Sequence, residues 1–308
     1  MRLSHHQAQS SVSGAGFIDP RTLARINNLE LMARFVVDGF INGLHKSPYL
    51  GLSIDFAEHR PYMPGDDIRR IDWRLYARTD RYYVKEFEAD TNANFTVLLD
   101  VSKSMQFGLK GINKFDYARY LAASLTYFSN QQRDRVGLIT FDRGIVDYVP
   151  PSAKHLDVVL HTLDRAQPAR AGELKPALDH ILGILSRRGI LVIISDLYES
   201  PERVLDAIKP LRYRGHDVIV FHVLDPAEVD FPFEEAGNFE DLETGERIPI
   251  VPQTQRAKYN ELVLSHIAEL GRLFSHDQID YALFDTSTPL DYALFHYLSN
   301  RVRLMKTR

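Results

Sequence analysis

The chain contains no cysteine, which removes disulfides, thiolate zinc sites and cysteine nucleophiles together. It has no apolar run of the ~18 residues that a membrane-spanning helix needs. Its start, Met1-Arg2-Leu3-Ser4-His5-His6, leads into Gln and Ser rather than into an apolar signal core. The expectation is a cytoplasmic protein without a membrane span. A large charge surplus is missing as well: a formal net charge of −4 and a pI near 6.3 give no global reason to bind nucleic acid. The patterns G-x-x-x-x-G-K-[ST], H-E-x-x-H and G-x-S-x-G do not occur. Nucleotide hydrolysis, zinc proteolysis and the α/β-hydrolase triad therefore lack their usual residues. Ser13-Gly14-Ala15-Gly16 is not a dinucleotide loop, because it has neither a strand before it nor a third glycine.

What is present is material for a core. With 44% hydrophobic residues in 308, the chain is globular and long enough for about two domains. Residues 1–16 are Ser-, Gln- and Gly-rich and read as a mobile tail. Residues 17–93 hold a helix and a charged β segment. In the helix, Leu29, Met32, Phe35, Val36, Phe40 and Leu44 recur at helical spacing as a core-facing stripe. Residues 94–303 alternate strands and helices, which implies a doubly wound, mostly parallel sheet covered on both faces. In that stretch Gly189 is expected to end a helix in the left-handed conformation. Phe231 to Val251 interrupts the alternation as an inserted hairpin, either a protein-binding arm or a plain loop.

One stretch organises the domain. Phe95 to Leu99 is a buried-strand pattern, and Asp100, Ser102 and Ser104 follow it at a spacing of two. Where a strand opens into a turn, that spacing brings one carboxylate and two hydroxyls to the same side. Three hard oxygen donors suit Mg²⁺ or Mn²⁺, which keep several waters, and such crevices lie at the carboxyl ends of parallel strands. Far downstream, Ile190 to Asp196 is a second buried strand ending in an acid.

The D-x-S-x-S loop resembles the metal-ion-dependent adhesion site of von Willebrand factor A domains. The resemblance becomes specific in three phrases: F-A-E-H-R-P-Y-x-P-G-D-D-I-R-R-I-D-W (Phe56 to Trp73), A-R-T-D-R-x-Y-V-K-E-F-E (Ala77 to Glu88) and L-L-D-x-S-x-S-M (Leu98 to Met105). These look like the bacterial family catalogued as domain of unknown function 58. Its members join such a segment to a von Willebrand factor A-like domain, and their genes commonly sit beside MoxR-type AAA+ ATPases. The resemblance implies a non-catalytic protein-interaction adaptor that works with such an ATPase and its protein clients, and a divalent metal held by Asp100, Ser102, Ser104 and Asp196. Where the adhesion-site pattern has threonine in a second loop, this chain has Glu173. Its carboxylate would either coordinate directly, tightening Mg²⁺ or admitting Ca²⁺, or fill the position left for a partner's acid.

Two other readings compete for the same residues. A haloacid dehalogenase-like phosphatase also carries strand-end acids, with Asp100 as nucleophile, but the acid expected two residues on is Ser102. Losing that proton donor removes roughly 10²–10⁴-fold of rate. The segment holding Arg69, Arg70, Asp72, Trp73 and Arg74 is either a partner-binding surface or a solvated turn with ordinary surface pairs. Its acids nearly cancel its basic charge, which disfavours RNA.

Overall fold

The computed structural model describes residues 20–23, 28–46, 59–62, 75–76, 81–85, 93–109, 111–295 and 297. Pro20–Leu23 (α1) and Leu29–Lys46 (α2) open the described chain. Asn28 caps α2, its Oδ1 accepting the Leu31 N–H at 2.9 Å. Met32, Ala33, Val36, Val37 and Phe40 are buried, whereas Phe35 is 54% exposed. The stripe expected to include Phe35 is thus shifted: Ala33 and Val37 complete the inner face, and Phe35 lies beside it, facing solvent. Leu44 lies outside the residues whose side chains are described.

His59–Pro61 (β1) and Tyr83–Lys85 (β2) pair antiparallel. The rest of the charged β segment is described only in part, and the residues Arg69, Arg70, Asp72, Trp73 and Arg74 lie outside the described residues.

Then follow Asn94–Asp100 (β3), Lys114–Gln131 (α3), Arg135–Phe141 (β4), Ile145–Ser152 (β5), Leu156–Arg165 (α4), Leu174–Ile184 (α5) and Ile190–Ser195 (β6). Pro201–Tyr213 (α6), Asp217–Leu224 (β7), Pro226–Asp230 (α7), Gly237–Glu240 (β8), Arg247–Ile250 (β9), Pro252–His276 (α8) and Asp280–Asp285 (β10) complete them, and residues 290–295 are helical. The central sheet has the order β10-β7-β6-β3-β4-β5, parallel except for β5 at the edge. The expected doubly wound α/β fold is therefore the one observed. β3 is buried along its length because helices cover both of its faces. One face carries α2, α3, α4 and the last helix, and the other carries α5, α6 and α8.

From β3 the chain first builds outward through β4 and β5, then restarts on the other side with β6. The crevice between the carboxyl ends of β3 and β6 is thus the topological switch point, where ligands of open α/β sheets bind. Asp100 ends β3, and Asp196 directly follows β6.

The expectation for Gly189 is corrected. Helix α5 ends earlier, at Leu185, whose φ is −73°, and Gly189 has no positive φ. The residue is needed for close approach: a Cβ there would lie 2.3 Å from the Asn94 carbonyl oxygen. Gly189→Ala should accordingly lower stability by roughly 1–3 kcal/mol through overpacking, while Phe35→Ala on the exposed side of α2 should stay within about 0.5 kcal/mol. Urea unfolding followed by circular dichroism reads both, and equal midpoints for the two variants would contradict the packing argument.

Candidate functional site

Asp100 is buried where β3 opens into its loop. Its Oδ1 accepts the Ser102 N–H at 2.8 Å, and its Oδ2 accepts the Ser195 hydroxyl at 2.6 Å. The Ser102 and Ser104 hydroxyls lie 3.0 Å apart. The structure thus brings Asp100, Ser102 and Ser104 together. A second loop runs alongside: Ser102 bridges to Arg170, and the Lys103 N–H donates to the Arg170 carbonyl at 2.9 Å. That approach explains Gly172, where a Cβ would sit 2.6 Å from the Ser102 Cβ.

Asp196 reaches the same crevice with a different partner. Its Oδ2 accepts from Lys114 Nζ at 2.7 Å, and the same ammonium donates to Glu228 Oε1 at 2.8 Å. The Lys114 side chain is fully buried, and its Nζ sits 4.7 Å from the centre of the Tyr198 ring. Burial alone would lower the Lys114 pKa, but Asp196 and Glu228 outweigh it and hold the ammonium charged. Glu228 is itself fixed by the capping box of α7, its Oε2 accepting the Asp225 N–H at 2.8 Å.

His222 orients the Asp196 backbone. Burial pushes its pKa down to about 3, so the ring is neutral. Nε2 donates to the Asp196 carbonyl at 2.8 Å, and Nδ1 accepts from the Tyr281 hydroxyl, also at 2.8 Å. For Asp100, burial, and after it the charge of Asp196, push the carboxyl up to about 7 against its hydrogen bonds from Ser195 and Ser102. The crevice therefore favours added positive charge beside Asp100.

Glu173 stands at the N-cap of α5, is exposed, and makes no capping hydrogen bond. Another carboxylate meets the loop instead. Glu243, from the turn between β8 and β9, accepts the Ser104 N–H on Oε1 and the Gly172 N–H on Oε2, each at 2.7 Å. Sequence reasoning missed Lys114, Ser195, Glu228 and Glu243 as members of this site. Lys114 carried a signal, since a lysine in the first turn of a helix opposes the macrodipole and needs a local reason. Ser195 carried a weaker one, next to Asp196. Glu243, in an ordinary Glu-Thr-Gly turn, carried none.

Among the described residues no three His, Cys, Asp or Glu side chains gather into a metal cage. A cation would rest on the Asp100 carboxylate and the Ser102 and Ser104 hydroxyls, with water completing the shell. That donor chemistry fits Mg²⁺ or Mn²⁺, which bind through one or two carboxylates and retain waters.

Lys114→Met should strand two acids in the crevice and cost about 3–5 kcal/mol of stability. Adding Asp196→Asn and Glu228→Gln should recover most of the loss, because the buried charge is then gone. Urea unfolding of the single and triple variants checks this; equal loss in both would assign the effect to lost packing of the lysine stem.

No helix among the described residues is long and apolar enough to cross a membrane. Comparison with known proteins identifies relatives. Uncharacterized protein Rv1480 of Mycobacterium tuberculosis strain H37Rv is 32% identical over 232 residues, covering 74% of this chain and 73% of the relative. Uncharacterized protein Mb1516 of Mycobacterium bovis matches to the same extent. Similar solved structures include the conserved hypothetical protein BatB from Bacteroides thetaiotaomicron, 18% identical with a TM-score of 0.48, covering 68% of this chain and 99% of that one. The SpRpn10 VWA domain is 12% identical with a TM-score of 0.41, covering 66% and 94% respectively. Residues 58–269 match the family described as "Protein of unknown function DUF58", and with a matched segment of that extent the chain belongs to this family.

Proposed function

We propose that the chain is a non-catalytic protein-interaction adaptor of the cytoplasm whose contact face is formed by the loops at the carboxyl ends of β3 and β6. The observation that carries the reading is the convergence of Asp100, Ser102 and Ser104 at the switch point without a nucleophile–base pair. Both Asp100 oxygens are engaged by Ser102 and Ser195. The buried histidine nearby, His222, is spent on the Asp196 carbonyl and Tyr281. A phosphatase would also need a proton donor beside the Asp100 carboxylate, and Ser102 stands where that acid is expected.

In this reading Asp100, Ser102 and Ser104, with Asp196 nearby, hold Mg²⁺ or Mn²⁺, which supplies a positive charge for a partner's oxygen ligand. The resemblance to domain of unknown function 58 supplies the partner class, a MoxR-type AAA+ ATPase. The segment around Arg69, Arg70, Asp72, Trp73 and Arg74 adds a second, charge-based surface. Exposed charges act mainly on encounter, whereas groups at the centre of a contact act on residence time.

Calorimetric titration with Mg²⁺ should give a saturable signal in the native protein and none in Asp100→Ala. Glu173→Thr should weaken the metal if Glu173 is a ligand, and an unchanged affinity would remove Glu173 from the site. Surface-plasmon kinetics against a MoxR-type AAA+ ATPase from the same organism tests the adaptor itself. Asp100→Ala should chiefly speed dissociation, and Arg69→Glu with Arg70→Glu should chiefly slow association and flatten its salt dependence. Native-like binding by both folded variants would refute the assignment of the face.

A further inference from the structure

The turn between β8 and β9 delivers a carboxylate to two backbone N–H groups from different loops. Ser104 is the second residue of the short 3₁₀ turn after β3, too early for its N–H to find an acceptor within the turn. Gly172 lies in the neighbouring loop, held there by the Ser102–Arg170 bridge. Together they form a fork that grips one oxygen each of Glu243 at 2.7 Å, and such charge-assisted contacts are the stronger class of hydrogen bond.

The rest of the turn is independent of this contact. Asp241 folds it internally, accepting from the Glu243 N–H at 2.8 Å and from the Thr244 hydroxyl at 2.9 Å, while Gly245 supplies a φ of +75°. Of residues 241–246, Glu243 alone is not exposed. Among the described residues, the two bonds from Ser104 and Gly172 are the hydrogen bonds that join this turn to the rest of the chain. The arm is anchored instead at its base. There Phe239 stacks on Phe231 and meets Phe233 edge-on, Phe231 packs on Tyr259, and Arg256 donates to the Phe231 and Phe233 carbonyls. A self-folded tip, an aromatic base and a single polar latch are the parts of an arm that can lift without unfolding.

We propose that the Ser104 and Gly172 N–H groups form a carboxylate seat, and that Glu243 is its resident ligand, a plug that leaves when an acidic side chain of the protein partner takes its place. The inference rests on the reading of this face as the partner contact and adds its regulation. The free protein is then self-occupied, and its apparent affinity for the partner is reduced by the fraction of molecules whose arm is lifted. A cation on Asp100, Ser102 and Ser104 would strengthen the seat for either carboxylate and so would not by itself choose between them.

The test uses the full chain as native protein, Glu243→Gln, Glu243→Ala and, as an acidic control from the same insertion, Glu235→Ala. Hydrogen exchange followed by mass spectrometry should show peptides containing Ser104 and Gly172 exchanging about tenfold faster in both Glu243 variants and unchanged in Glu235→Ala, since a tenfold change corresponds to loss of one modest interaction. A nitroxide on Glu246→Cys, the sole thiol in a chain without cysteine, should be restrained in the free protein. It should become mobile in the Glu243→Ala background and on addition of a MoxR-type AAA+ ATPase from the same organism. That ATPase should bind Glu243→Ala about tenfold more tightly than native protein. Unchanged exchange at Ser104 and Gly172 in Glu243→Ala overturns the seat. A nitroxide that stays restrained in the ATPase complex overturns the displacement. If the ATPase binds no variant while exchange accelerates as expected, the adaptor reading fails and the seat with its resident ligand stands.

Discussion

Two buried acids at the carboxyl ends of neighbouring strands set the terms for everything around them. Asp100 and Asp196 are both buried and repel each other. A pair of this kind persists only if the surroundings supply hydrogen bonds or positive charge. Ser102 and Ser195 answer for Asp100, and Lys114 answers for Asp196. The two solutions differ in kind. The ammonium compensates Asp196 with a full charge from within the fold, whereas Asp100 receives dipoles only and remains the carboxylate on which added charge gains most. This asymmetry separates a structural half of the crevice from an interactive half.

The structural half is connected in series. Lys114 begins α3, Glu228 belongs to α7, and His222 on β7 holds the Asp196 carbonyl while remaining neutral. A fully buried lysine is tolerated because each acid it touches is itself fixed, Asp196 through its backbone and Glu228 through its capping box. The arrangement ties α3, β6, β7 and α7 to one point at the upper edge of the sheet.

The first helix shows how the same sheet recruits sequence from outside the alternating pattern. Its inner residues Met32, Val36 and Phe40 join the apolar layer formed by α3, with Phe40 edge-on to Phe128. The helix preceding the alternating α/β stretch is therefore part of its core. The inserted arm between α7 and α8 is the opposite case. Its strands are largely exposed and it touches the domain at an aromatic base and at one carboxylate.

What the amino-acid sequence determined by itself was the alternation of elements, because each depends on contiguous patterning: the helical spacing of Leu29, Met32, Val36 and Phe40, the apolar run of Phe95 to Leu99, and the strand at Ile190 to Ile194. The meeting of Asp100, Ser102 and Ser104 was equally legible, since a turn at a strand end gathers residues two apart. Phe35 and Gly189 mark the limit within single elements. A stripe read by spacing alone is uncertain by one neighbouring row, and a glycine demanded by the Asn94 backbone resembles one demanded by a helix end. Tertiary structure alone decided which groups compensate which. Lys114 meets Asp196 across 82 positions and Ser104 meets Glu243 across 139. Those pairings follow from strand order and from where an insertion folds back, and local periodicity carries no record of either, because it reports which face of an element is apolar and not what lies opposite its polar ends.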